Sequence, residues 1–192
     1  MEYFEDLKSM LDKVSAANSE GNMYELSEAI GAVIDMIIGQ SKAGKKLLFI
    51  GNGASASIAS HMATDFWKNA GIRAWAFNDS SLLTCISNDY GYEHVFQKPI
   101  EVLADSGDVL LAISSSGRSE NILRASSAAK DKGLKVVTFS GFEQDNPLRK
   151  IGDINFYVPA AEYGPVEVAH LGICHCLVDM TIKARSKVAE RV

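Results

Sequence analysis

Five short apolar runs recur along the chain with helix-length segments between them: KLLFIG (46–51), RAWAFND (73–79), VLLAIS (109–114), KVVTFS (135–140) and INFYVP (154–159). Each has the length and content of a strand. Three are nearly continuous in apolar residues instead of alternating, the pattern of a strand covered on both faces. Such strands need helices above and below, so the repetition predicts an α/β fold, a three-layer α/β/α sandwich around a five-stranded parallel sheet. SASIASHMATDFWKNAG, SENILRASSAAKDKG and the closing PVEVAHLGICHCLVDMTIKARSKVAERV supply helical layers. Gly71 and Gly133 stand where helices need left-handed terminators, and Pro165 suits a first helical turn. Residues 1–44 carry two amphipathic helical patterns without a sheet of their own, as a cap or a subunit contact would. No linker or repeat interrupts 1–192, which reads as a single domain: N-terminal helices (1–44), then the α/β core and last helix (45–192).

At 192 residues and 47% hydrophobic, the chain can bury a sizeable core. A net charge of −5 and a pI near 5.4 provide no field for nucleic acid or an anionic membrane. No apolar run approaches a membrane span, and the acidic start MEYFEDLKSML is unlike a signal peptide. A cytoplasmic protein with neither nucleic acid nor membrane as partner is the expectation. Cys85, Cys174 and Cys176 are odd in number and suit reduced thiols in apolar surroundings. The CHC at 174–176 is a weak metal motif, because residues two apart on a helix diverge by about 200°.

Ligands of open parallel sheets bind beyond the carboxyl ends of the strands. There the chain places GNGASAS (51–57), NDSS (78–81) and SSSGRS (114–119). The last offers what a phosphate monoester needs: hydroxyl donors, a glycine that lets backbone approach, and a helix N-terminus. Ser116 or Ser119 alone could be a helix cap, but four hydroxyls in six residues exceed what capping requires. GNGASAS lacks the third glycine of a dinucleotide fingerprint, and no GK[ST] follows, so no nucleotide cofactor is expected.

His61 and Asp65, spaced i, i+4, share a helix face and are an acid/base pair, a metal-ligand pair or a plain surface contact. On the last helix Glu167 shares a face with Leu171, Cys174 and Val178, while His170 and His175 fall on opposite flanks, so only one of these histidines faces the same pocket. Lys68 and Arg118 read as solvated charges.

Taken together and in order, GNGASASIASHMATDF, ISNDYGYEHVF, GDVLLAISSSGRSENIL, AAKDKGLKVVTFSG and VEVAHLGICHCL resemble the phosphoheptose isomerases, the sedoheptulose 7-phosphate isomerases of the sugar isomerase (SIS) fold. The likeness runs from residue 45 to 180 and in outline to the N-terminal helices. It implies an aldose–ketose isomerase that converts sedoheptulose 7-phosphate to D-glycero-D-manno-heptose 7-phosphate through an enediol, at the start of heptose biosynthesis. It also implies a homotetramer with sites between subunits, and zinc in some members. By position the resemblance gives Asp65 and His175 as catalytic. It gives Ser114, Ser115, Ser116 and Ser119 as the phosphate cradle, with Asn52, Gly53, Ser55, Asp89 and Glu167 contacting substrate. His61, Asp65, Glu167 and His175 are the implied metal site. Asp65 stands where the family has glutamate, and Glu167 where it has glutamine. Residues eight apart on a straight helix are separated by about 12 Å. Glu167 and His175 can therefore share one metal only if the helix begins irregularly near Pro165, or if different subunits supply them. The rival readings are a SIS-fold phosphosugar-binding protein that acts through protein partners, or an isomerase for another ketose phosphate. His175 and the two carboxylates argue against the first.

Overall fold

The structure, a computed structural model, describes residues 2–189, with side chains through residue 186. The ends of the expected 1–192 domain, residue 1 and residues 190–192, lie outside it. The elements run α1 (Glu2–Leu11), β1 (Ser15–Ala17), β2 (Met23–Tyr24), α2 (Leu26–Lys42), β3 (Leu47–Gly51), α3 (Ala54–Lys68), β4 (Ala74–Ala76), α4 (Ser80–Tyr90), α5 (Gln97–Leu103), β5 (Val109–Ile113), α6 (Glu120–Asp131), β6 (Lys135–Ser140), β7 (Ile154–Tyr157) and α7 (Tyr163–Ala189).

The continuous apolar runs arise because successive residues feed opposite cores. Leu47, Phe49, Leu111 and Phe139 face one side of the sheet, with Val33, Phe66 and Leu177 from the covering helices. Leu48, Ile50, Leu110 and Val136 face the other, with Phe96, Ile100 and Ala125. An α/β fold with helices on both faces is thus what the strand composition requires.

One expectation is corrected. The sheet has seven strands in the order β2-β1-β7-β6-β5-β3-β4, and it is mixed instead of purely parallel. The five expected strands do run parallel as β7, β6, β5, β3 and β4. The hairpin β1–β2 adds to them antiparallel, with Ala16 opposite Phe156. Its strands, of three and two residues, are too short to impress a period on the sequence. Long-range pairing makes them strands. The buried Asn155 on β7 donates from Nδ2 to the carbonyl of Ala17 at 3.1 Å, and Asn18 Oδ1 accepts from the amides of Glu20 and Asn22 to shape the turn.

By length and composition alone α7 could cross a bilayer, yet 44% of its apolar window is buried, with Val166, Ala169, Leu177 and Val178 in the core. It is a core helix.

From β3 the chain crosses to β4 on one side, whereas β5 leads to β6 on the other. The carboxyl ends of β3 and β5 are therefore a switch point, where an open parallel sheet forms a crevice.

Candidate active site

Two glycines let the loops close on this crevice. A side chain at Gly51 would put its Cβ 2.5 Å from the backbone of Ser55, so glycine lets the first turn of α3 fold tightly over the end of β3. Gly117 has φ of 61° and is pressed against the Asn146 side chain, so the serine loop turns where no other residue fits. Between the loops lies a cavity of about 260 Å³ lined by Asn52, Gly53, Ser55 and the four serines 114, 115, 116 and 119, with Tyr163 and Glu167 from α7. No lysine or arginine is among the lining residues. An anion there depends on hydroxyls, backbone N–H groups and the N-terminal dipoles of α3 and α6.

The capping alternative for Ser119 is not realised, since it is the N-cap residue of α6 but its hydroxyl makes no cap hydrogen bond. Ser114 Oγ accepts from the amide of Gly117 at 3.2 Å, and Ser116 Oγ accepts from that of Arg118 at 3.3 Å. Both hydroxyls keep their own proton to donate.

A second cluster lies where α3 meets α7. Asp65 Oδ2 is 3.6 Å from His61 Nε2 and 3.9 Å from His175 Nδ1, and the two imidazole rings stand 5.3 Å apart edge to face. One ligand atom from each lies within 4.8 Å of the others. Two imidazoles and a carboxylate at these separations fit a zinc ion, whose catalytic sites have three such protein ligands and an open position. Asn69 donates from Nδ2 to Asp65 Oδ1 at 3.2 Å, which turns Oδ2 toward the histidines.

The other candidates divide. Glu167 does not join this cluster; it lies on the serine cavity. Since α7 is continuous from Tyr163, Pro165 causes no irregular start and the separation along the helix stands. Asp89 is exposed near the end of α4 and does not line the cavity, its Oδ1 accepting from Asn88. His170 is buried, its Nε2 3.2 Å from the carbonyl of Ser140, and desolvation lowers its pKa to about 4. It is a core residue, so His175 is the histidine that faces a site. Burial pushes the Cys174 thiol far up, and neither cysteine of the CHC joins the cluster. Arg118 pairs with Asp145 at 3.4 Å, and neither it nor Lys68 lines the cavity. A wider hollow of about 710 Å³ between α5 and α6 contains none of the sequence candidates.

A family profile described as "SIS domain" matches residues 2–141. The phosphoheptose isomerase of Geobacter metallireducens is 37% identical over 169 residues, 85% of this chain and 89% of that protein. The phosphoheptose isomerase of Proteus mirabilis is 37% identical over 166 residues, covering 83% and 86%. The chain belongs to the phosphoheptose isomerase family. Among solved members, the enzyme from Neisseria gonorrhoeae superposes with a TM-score of 0.82 at 28% identity, covering 94% of this chain and 96% of that one. The enzyme from Francisella tularensis gives 0.82 at 29%, covering 95% of each.

Three residues of this family member escaped the sequence reading. Asn69 could have been found from its i, i+4 spacing to Asp65. Tyr163 lines the cavity, with its ring 5.0 Å from that of Phe142. Asn121 pairs with Asn52 through two hydrogen bonds, a contact with no sequence signal.

Proposed function

We propose that the protein interconverts sedoheptulose 7-phosphate and D-glycero-D-manno-heptose 7-phosphate through an enediol, in the cytoplasm, as a homotetramer of single SIS domains. The observation that carries this reading is the pair of complementary sites: a hydroxyl-lined cavity at the strand ends and a carboxylate flanked by two histidines on the same pair of helices. The three cysteines are all free, which suits a reducing compartment.

The serines and the helix N-termini bind the phosphate, and the Asn52 loop faces the sugar. Asp65 takes the proton from C1 of the ketose and returns it to C2 of the enediol. His175, the partner of Asp65 at 3.9 Å from its carboxylate, moves the proton between the sugar oxygens. A zinc ion held by His61, Asp65 and His175 would polarise those oxygens. Because Glu167 and His175 stand about 12 Å apart along one straight helix, Glu167 completes such a centre only as Glu167 of the partner subunit. This accounts for a site built between subunits, with the serine cavity of one chain serving the triad of its neighbour. Residues 1–44 would then contribute to the subunit contact.

The test is an NMR time course with sedoheptulose 7-phosphate in deuterated water, with and without zinc, beside His175→Ala. Formation of the aldose with deuterium at C2, absent in the variant, is the expected result. Phosphosugar binding without turnover would overturn the isomerase reading.

A further inference from the structure

Asn52 stands at the end of β3, in the loop that leads into α3, and its amide is held from two directions. Its Nδ2 donates to Asn121 Oδ1 at 2.9 Å, and Asn121 Nδ2 donates back to Asn52 Oδ1 at 2.9 Å. The hydroxyl of Tyr92 donates to the same Oδ1 at 3.0 Å. A carbonyl oxygen has two lone pairs, so Oδ1 is fully used, and one N–H of Nδ2 is paired. A single side-chain N–H of Asn52 remains, and Asn52 lines the serine cavity.

The two partners differ in kind. Asn121, in the first turn of α6, is 3% exposed and acts as a buried anchor. Tyr92 is 54% exposed and reaches Asn52 from a short 3-10 turn that begins after α4. Gly91 makes this reach possible: its φ is 95°, and a Cβ there would lie 2.6 Å from the carboxylate of Glu93. The NDYGY segment therefore meets the site through its second tyrosine, while Asp89 stays outside the cavity.

We propose that Tyr92 and Asn121 are positioning residues that fix the Asn52 amide, so that its one free N–H is presented to the bound sugar phosphate. The proposal rests on the isomerase reading for the identity of the ligand, but not for the geometry. An amide held on one side only rotates about its terminal torsion, which is broad and roughly two-fold. Removing the tyrosine hydroxyl frees one lone pair of Oδ1 and leaves the amide tethered to Asn121 alone, so that its remaining N–H is less sharply aimed.

The test uses the full-length protein with sedoheptulose 7-phosphate and the variants Tyr92→Phe, Asn121→Ala and both together. Tyr92→Phe is expected to raise KM about three- to ten-fold, the value of one hydrogen bond, with the effect on KM and not on kcat and with an unchanged melting temperature. In the Asn121→Ala background the same change is expected to have less than half that effect, because the amide is already loose. An unchanged KM for Tyr92→Phe, or a full effect in the double variant, would overturn the proposal. If Asn121→Ala does not fold, Asn52→Ala replaces it in the cycle with the same expectation. Wild-type protein without turnover would sink the isomerase reading separately. The same ratios are then read as Kd for the sugar phosphate by calorimetry, and a wild type that binds none overturns this inference too.

Discussion

The carboxylate of Asp65 faces the imidazole of His175 across the contact between α3 and α7, Oδ2 to Nδ1 at 3.9 Å, with its other oxygen held by Asn69. Asn69 occupies Oδ1, so Oδ2 is the oxygen turned toward the two histidines. In the proposed mechanism Asp65 is the base; Asp65→Asn keeps the shape and removes it, so turnover should fall about 100-fold or more while binding of the sugar phosphate persists. Asp65→Glu adds one methylene toward the substrate; misplacement of about 1 Å can cost about 100-fold. Its turnover is expected at or above wild type. Steady-state kinetics with calorimetric binding for each variant checks both outcomes.

The same trio governs metal binding. Three donors and an open position predict about one zinc per subunit, measured by elemental analysis after dialysis. His61→Ala and His175→Ala should each weaken zinc binding about ten-fold or more, since two remaining ligands hold the ion poorly. Equal zinc content in wild type and both variants would remove the metal from this cluster. Glu167→Gln, on the cavity wall, should leave the zinc content of a dissociated subunit unchanged.

The parts of the fold that were legible in the sequence are those whose cause is local. β3, β5 and β6 announce themselves because burial on both faces leaves no polar alternation. The serine cluster is conspicuous because four hydroxyls after a buried strand have no packing purpose. The β1–β2 hairpin was not legible, since Ser15–Ala17 becomes a strand only through its pairing with β2 and β7. His61 and Asp65 were visible as an i, i+4 pair, but nothing in the spacing of α7 decided between His170 and His175. Tertiary burial decided it, placing His170 against Phe139 and Ser140 at the carboxyl end of the interior strand β6. The Asn52–Asn121 amide pair is silent for the same reason, because it joins the loop after β3 to the first turn of α6, which only the folded sheet brings together.

Gly117 carries two constraints at once. Its φ of 61° is left-handed, and a Cβ would run into the Asn146 amide, whose nitrogen is already committed to Ser140 Oγ and the carbonyls of Gly141 and Glu143. Asn146 is fully buried and has no room to retreat. Gly117→Ala should therefore destabilise the protein by about 2–4 kcal/mol and raise KM for the sugar phosphate as the serine loop shifts. Chemical denaturation and kinetics test the two effects together. A stable variant with native KM would show that the loop is not so constrained.

His170 predicts an acid limb in stability. It is buried and neutral, with a pKa of about 4 against an ordinary value of 6.5. Between these values the unfolded chain takes up a proton that the folded chain refuses, so stability is complete above pH 6.5 and falls as pH drops toward 4. The loss amounts to about 3 kcal/mol over that window and ends below it. The ring sits edge-on to Phe139 at 6.0 Å, and no carboxylate lies among its polar contacts to hold the charged form. His170→Gln keeps a donor for the Ser140 carbonyl and cannot titrate, so it should be less stable at pH 7.5 through poorer packing, yet lose about 3 kcal/mol less between pH 6.5 and 4. Urea unfolding of both proteins at several pH values measures the difference, and parallel curves would assign the acid limb to other groups.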